Sequence, residues 1–486
     1  MSIINKTVKN QTKPVTQFDV AWAKLQVLWQ KLTKFADKHP KLTQCLKFVI
    51  VFTVFGLIVW NTIDPDFGWH LQAGRYILAH WVPGHDVFTY TARNYRWIDH
   101  EWLSDVINAL IFNRISYIGL TLVFAGVWTS ALFVTGKRYL ITMLLAAIAI
   151  QPYVSVRPMA WSALLLAVLI RLSESKRLRS KFIFLMPLII MLWTNLHGGF
   201  IIGLAYIGFL LIKERDWLWL KIFGLSILAT FINPYGPRLY FEVFTTLFDS
   251  QLHWQIVEWR PFLIFWQSQA YISLWIAGTI LYTKKKFDDL FTFDKLLFLA
   301  GLSSTRHIIL FVIAAMPKLE DYAKQARKNI PKKPKLRVKV VLVILVLIVL
   351  GDVGYGVYRS GVSWIPQKYD ISTDFTVYTY LKDHPCSGNI FNSYNLGGFL
   401  IWQLPNQPIY IDGRMPSWRN EQGQKYFNIY TKIFSDDRLR KSEFSKYDVK
   451  CALLLRDNQT NKLVGRLENE HWHQTYITSE AILLEN

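Results

Sequence analysis

Apolar runs near the ~20 residues needed to cross a bilayer recur along most of this chain, separated by short polar segments. The first run spans 46–63. Further spans are expected at 118–136, 139–152, 158–172, 182–196, 198–213, 217–232, 262–282, 290–304, 306–317 and 338–357. Residues 101–115 are apolar too, but Asp105, Asn108, Asn113 and Arg114 break them, so they read as partly embedded rather than crossing. That leaves eleven spans.

The segments between the runs fix a direction. Residues 1–45 are polar, and Lys24, Lys31, Lys34, Lys38 and Lys41 suit an amphipathic helix on a cytoplasmic membrane surface. Lys137-Arg138, residues 174–181, Lys213 with Arg215, Lys284–Lys286 and residues 318–339 are the basic loops, and all fall inside if the N-terminus is inside. No small-residue cleavage site follows the first run, so it reads as a start-transfer helix that is kept. Residues 64–100 become an outer loop containing an interfacial helix over 68–80. Trp69, Leu71, Tyr76 and Ile77 would form its apolar face. Trp81, Trp97 and Trp102 suit headgroup level.

From residue 359 the pattern changes. Short β-type runs at Pro408–Ile411 and Cys451–Leu455 alternate with turn signals such as Gly397-Gly398 and Asp412-Gly413-Arg414. The expected organisation is a basic segment 1–45, a membrane domain 46–358, and a small extracytoplasmic α/β domain 359–486. The protein is thus a mainly α, polytopic helix bundle of the cell (plasma) membrane, with its C-terminal domain in the cell envelope outside.

Composition agrees: 52% of residues are hydrophobic and 15% aromatic. The net charge of +21 would suit nucleic acid, but the basic residues sit in loops that would face anionic lipid, and no nucleic-acid motif accompanies them. The three cysteines have no metal-site spacing. Cys386 and Cys451 could pair only in an extracytoplasmic region, and the sequence alone does not favour that pairing. There is no Walker loop, Rossmann fingerprint, His-Glu-x-x-His helix or Gly-x-Ser-x-Gly elbow. An ATP-driven pump or a secreted-type hydrolase is therefore disfavoured.

With that direction, the polar residues beside apolar runs collect at the outer ends, as in an outward-opening polar cavity. The pivotal stretch is Asp64-Pro65-Asp66-Phe67-Gly68-Trp69-His70, directly after the first run. Asp64 and Asp66 are candidate catalytic acids, and Asp86 is a third. Two carboxylates one residue apart can act as a base with its orienting partner, or can bind a divalent ion. Asp66 is equally a candidate helix cap. His70, Glu101, Arg157, Asn195, His197, Glu258, Arg306 and His307 are candidate substrate-binding residues. Arg306 and Arg157 suit a phosphate, although either could instead pair with Asp64, Asp66 or Glu258; phosphate is favoured for Arg306, beside His307 and with no acid near in sequence. Arg260 is expected to pair with Glu258 or meet headgroups.

At these residues the chain resembles the GT-C superfamily of polytopic membrane glycosyltransferases, which includes protein O-mannosyltransferases, aminoarabinose transferases and oligosaccharyltransferases. It is similar more closely to a group of bacterial membrane proteins of unassigned substrate. The motifs are Asp64-Pro65-Asp66-Phe67-Gly68-Trp69-His70-Leu71, Asp86–Thr91, Trp97 with Glu101-Trp102-Leu103, Asn392-Ser393-Tyr394-Asn395, and Asp412-Gly413-Arg414. Gly68 stands where many relatives carry a second Trp. The resemblance implies transfer of a sugar from a polyprenyl-phosphate donor to a protein, lipid or glycan acceptor at the outer face, with the acidic role on Asp64 or Asp66. The alternative is a lipid or polysaccharide transporter or a scaffold using the same cavity without chemistry. It lacks the internal repeats that many transporters show.

Overall fold

The computed structural model describes residues 34–135, 139–261, 292–329 and 376–486, with isolated positions before 34 and at 351. The expected spans 262–282 and 338–357 (but for Gly351), together with Lys137-Arg138 and Lys284–Lys286, lie outside the described residues. The chain divides into a small unit, 1–50, and a large one, 51–486. In the small unit Lys24, Lys31, Lys34, Lys38 and Lys41 are helical and exposed.

The first apolar run is the helix Pro40–Asn61, whose later part buries Val51, Phe55 and Val59 in the large unit. It and Trp102–Thr135 are long and apolar enough to cross a membrane. A third candidate arises if Lys176–Phe182 and Leu185–Leu196, bent by 81°, count as one span. The other described helices are shorter or more polar, so helix length among the described residues does not carry a count of eleven. The runs expected at 139–152 and 217–232 are present as Leu140–Ile150, extended by a 3-10 turn to Tyr153, and Trp217–Ala229. Those at 158–172 and 198–213 are Met159–Glu174 and Phe200–Glu214. The last two described runs are Phe293–Ser303 and Ile308–Asn329.

Trp102–Thr135 is two helices joined across a kink rather than one. Ser116 sits at φ 59°, ψ −161°, a conformation that costs an L-residue energy, so the helical hydrogen bonding is interrupted there. The break falls where the sequence separates the polar-interrupted run 101–115 from the span at 118–136.

The helix expected over 68–80 forms as Phe67–His80, but it does not lie open at the membrane surface. Phe67 through Gly74 are buried, packed between Trp102–Thr135 and the C-terminal domain. The approach is closest at Gly68, where a Cβ would collide with the carbonyl of Gly398. A Trp at this position would have no room. Trp97, expected at headgroup level, is buried as well, while Trp81 is exposed.

The C-terminal domain is a four-stranded sheet in the order β1-β2-β4-β3, with β1 at Asn389–Asn392, β2 at Val449–Leu455, β3 at His473–Ile477 and β4 at Ala481–Glu485. β1 and β2 are parallel, and β2–β4 and β4–β3 are antiparallel. The apolar run Cys451–Leu455 is thus the central strand. Pro408–Ile411, which reads as a strand, makes only isolated bridges from Ile409 to Thr89 and Ile390. Asn392 holds it instead: its Oδ1 accepts from the Tyr410 N–H at 3.0 Å and its Nδ2 donates to the Ile411 carbonyl at 2.7 Å. Cys386 and Cys451 form a disulfide tying the start of β1 to β2. The pairing that the sequence did not favour is present, because the parallel β1–β2 register brings the two cysteines together.

Candidate active site

A cavity of about 810 Å³ lies between helix ends and the C-terminal domain. Its walls combine Asp64, Asp66, His70, Asp99, Glu101, Arg157, His197, Glu258 and Arg306 with Tyr394, Gly413 and Arg414 of the C-terminal domain. The cavity therefore gathers eight of the eleven candidate catalytic and substrate-binding residues: Asp64, Asp66, His70, Glu101, Arg157, His197, Glu258 and Arg306.

The two early acids are in different electrostatic states. Asp64 is buried and paired with Arg157, with the Ser155 hydroxyl donating at 3.3 Å and the backbone N–H of Asp66 at 2.8 Å. Arg157 also pairs with Glu258. The arginine is committed to two carboxylates, and Glu258 is paired with Arg157 rather than with Arg260, whose Nε donates to the Trp254 carbonyl. Burial pushes the Glu258 carboxyl up, but Arg157 and Arg306 outweigh it and hold the group below its ordinary range.

Asp66 stands at the N-terminus of the helix Phe67–His80, yet its side chain makes no capping hydrogen bond. It makes no ion pair among the described residues. Burial raises its carboxyl to about 6, with His70 pulling down and Glu258 and Asp412 pushing up. Gly413 lies directly against it: a Cβ there would collide with Oδ1. The pair does not fit a divalent-ion site. Asp64 is already neutralised by Arg157, and no group of three His, Cys, Asp or Glu suited to a metal ion occurs among the described residues.

A second cluster surrounds Glu101. His70 Nδ1 faces the buried Asp105 carboxylate at 2.6 Å, and His70 Nε2 lies 3.7 Å from Glu101 Oε2. His197 Nε2 and His100 Nε2 lie 3.3 and 3.6 Å from Glu101 Oε1. His197 Nδ1 accepts from the Gly199 N–H at 3.0 Å, and Ser162, itself a hydrogen-bond acceptor from Trp193 Nε1, donates to the same nitrogen. Burial raises the Glu101 carboxyl to about 8, against the pull of His70 and Arg306. Asp99, whose Oδ2 is buried without a partner, is raised by burial to about 6.

Arg306 lines the cavity with its guanidinium 4.5 Å from the centre of the Trp259 ring, and makes no ion pair among the described residues.

Three sequence candidates fall elsewhere. Asp86 is not in the cavity wall. It pairs with Arg414 Nη1 at 2.7 Å and accepts from the Thr89 N–H at 2.9 Å and the Thr89 hydroxyl at 2.5 Å. Asn195 is used in packing, accepting from Trp102 Nε1 and donating to the Met191 and Ile232 carbonyls. His307 packs edge-on against Trp259 outside the cavity wall.

Arg414 was legible only as part of a motif. Its guanidinium lies 4.4, 4.9 and 5.1 Å from the ring centres of Trp97, Phe88 and Trp418, and it grips both Asp86 and Asp412. Those carboxylates hold it charged, outweighing burial. Asp99 and Asp105 were missed as site residues. Their signal was weak: acids flanking the start of an otherwise apolar helix.

This arrangement of helices and C-terminal sheet domain shares its fold with solved archaeal oligosaccharyltransferases. Archaeal oligosaccharyltransferase AglB from Archaeoglobus fulgidus, solved with an inhibitory peptide and a dolichol-phosphate, superimposes with a TM-score of 0.50 at 12% identity, covering 86% of this chain and 70% of that one. An Archaeoglobus fulgidus oligosaccharyltransferase without ligand gives 0.50 at 11% identity, covering 85% and 69%. One tethered to an acceptor peptide containing the NVT sequon gives 0.51 at 12%, again covering 85% and 69%. No family model and no curated protein sequence matches this chain.

Proposed function

We propose that this protein transfers a sugar from a polyprenyl-phosphate donor to an acceptor on the outer face of the membrane. The observation that carries the reading is the division of labour between the acids. Asp64 is neutralised by Arg157, whereas Asp66, with no ion pair among the described residues, shares a cavity with Arg306. Asp66 is the general base that takes the acceptor proton, and a carboxyl at about 6 is largely ionised at neutral pH. Arg306 receives the phosphate as it departs. The structural neighbours support the substrate class, since one was solved with a dolichol-phosphate and another with an acceptor peptide. The Cys386–Cys451 disulfide supports an oxidising, extracytoplasmic setting for the C-terminal domain.

The test is a transfer assay in proteoliposomes with radiolabelled polyprenyl-phosphate sugars. Asp66→Asn is expected to lower turnover by about 100-fold or more. Full turnover by a folded Asp66→Asn variant would remove the base. A transporter or scaffold would show no labelled product with any donor, even from the unaltered protein.

A further inference from the structure

The cavity does not end at Gly413. It runs on into the C-terminal domain, where Tyr394, Asn395, Phe427, Tyr430, Asp457 and Gln459 line it. Tyr394 and Asn395 follow the end of β1, and Asp457 and Gln459 follow the end of β2. Those strands are parallel, so both pairs lie at the same end of the sheet, beyond the strands' carboxyl ends. Open α/β sheets bind ligands in that crevice, because side chains from neighbouring loops converge on the gap between them. Phe427 and Tyr430 come from the helix Tyr426–Ile433, three residues apart and therefore on one face. Hydrogen bonds connect the crevice to the acid end of the cavity. The Tyr394 hydroxyl donates to the Gly413 carbonyl at 3.2 Å, and Gly413 lies against Asp66. The Tyr394 N–H donates to the Tyr430 hydroxyl at 3.0 Å, and the Tyr394 and Phe427 rings meet edge to face with centres 5.0 Å apart.

The chemistry of this wall selects a class of ligand. Asn395 and Gln459 are exposed, and their side chains make no hydrogen bond among the described residues. Amides both donate and accept, as sugar hydroxyls do, and aromatic rings offer a flat apolar surface to the C–H face of a sugar. The crevice adds the carboxylate of Asp457, and among the described residues no lysine or arginine lines this part of the cavity. An acidic ligand would meet like charge there. The cavity also meets the sheet at strand ends rather than along an edge, so it offers no strand for an extended peptide to pair with.

We propose that this crevice binds the acceptor, and that the acceptor is a neutral carbohydrate chain whose receiving hydroxyl reaches Asp66. This rests on the transfer reading above. Sugar rings lie against Tyr394 and Phe427, Asn395 and Gln459 bond their hydroxyls, and the path from Tyr394 to Gly413 leads the end of the chain to the base.

The test uses the full protein in nanodiscs. Fluorescently labelled protein is applied to an array of neutral oligosaccharides, acidic oligosaccharides and peptides, and binding to the neutral class alone is expected. Titration with a bound neutral oligosaccharide should show affinity about 10-fold weaker in Asn395→Ala with Gln459→Ala, the loss of two hydrogen bonds, at unchanged melting temperature. Acidic oligosaccharides or peptides bound in place of neutral ones would overturn the proposal. So would an array on which no neutral oligosaccharide binds, or undiminished affinity in the double variant. In the transfer assay with that oligosaccharide as acceptor, the double variant should raise the acceptor KM about 10-fold and leave the donor KM unchanged. A fall in kcat at unchanged acceptor KM would count against the crevice. Oligosaccharide binding without transfer by the unaltered protein would instead remove the transfer reading and leave the crevice as a carbohydrate site.

Discussion

Gly413 of the C-terminal domain presses against the Asp66 carboxylate so closely that a Cβ at Gly413 would overlap Oδ1. The C-terminal domain thereby sets the position of the proposed base. Gly413→Ala should push Asp66 aside and lower turnover by about 100-fold, the scale on which a displacement near 1 Å acts. Substrate binding through Arg306 should change less. Transfer kinetics check this, and unchanged kcat would show that the carboxylate is free to move.

Arg414 clasps Asp86 and Asp412 within an aromatic box of Trp97, Phe88 and Trp418. Breaking a buried ion pair from one side costs about 3–5 kcal/mol. Asp86→Asn and Arg414→Gln should both lower the melting temperature in detergent. Arg414→Lys should also fail, because an ammonium cannot reproduce a planar fork held by two carboxylates. A lower kcat in Asp86→Asn without any loss of stability would place Asp86 in the chemistry instead.

Glu101 makes stability depend on pH with a definite sign. Its carboxyl stands near 8 in the folded protein against 4.5 unfolded, so between those values the folded state holds more protons. Stability from this group is therefore greatest at low pH and falls as pH rises through the window. Glu101→Gln should flatten that part of the melting-temperature profile between pH 5 and 8. A profile parallel to that of the unaltered protein would refute the raised value.

The Cys386–Cys451 bridge closes a loop of 65 residues' separation. Removing such a bridge typically costs about 2–5 kcal/mol. Cys386→Ser with Cys451→Ser should lower the melting temperature of the sheet domain without altering Asp66 or Glu101. Alkylation of protein taken from intact cells should label Cys45 alone. Labelling of all three cysteines would place the domain on a reducing side.

The sequence by itself determined the mainly helical architecture with a small C-terminal sheet domain, and it marked most of the polar residues that line the cavity. Apolar run lengths, basic loops and the acid-rich exit of the first run are local properties, readable from spacing alone. They marked Asp66, His70, Glu101, His197 and Arg306, and the shift of pattern near residue 359 marked the second domain. What only the tertiary structure decided is which of those groups neutralise one another. Asp64 and Asp66 look alike in sequence, but Arg157 and Ser155 reach the first and leave the second facing the cavity. Asp86 carries the same charge as either, yet Arg414, far along the chain, takes it out of the cavity. A carboxyl's role depends on its solvation and its partners within a few ångströms, and those come from segments that meet only when the chain folds.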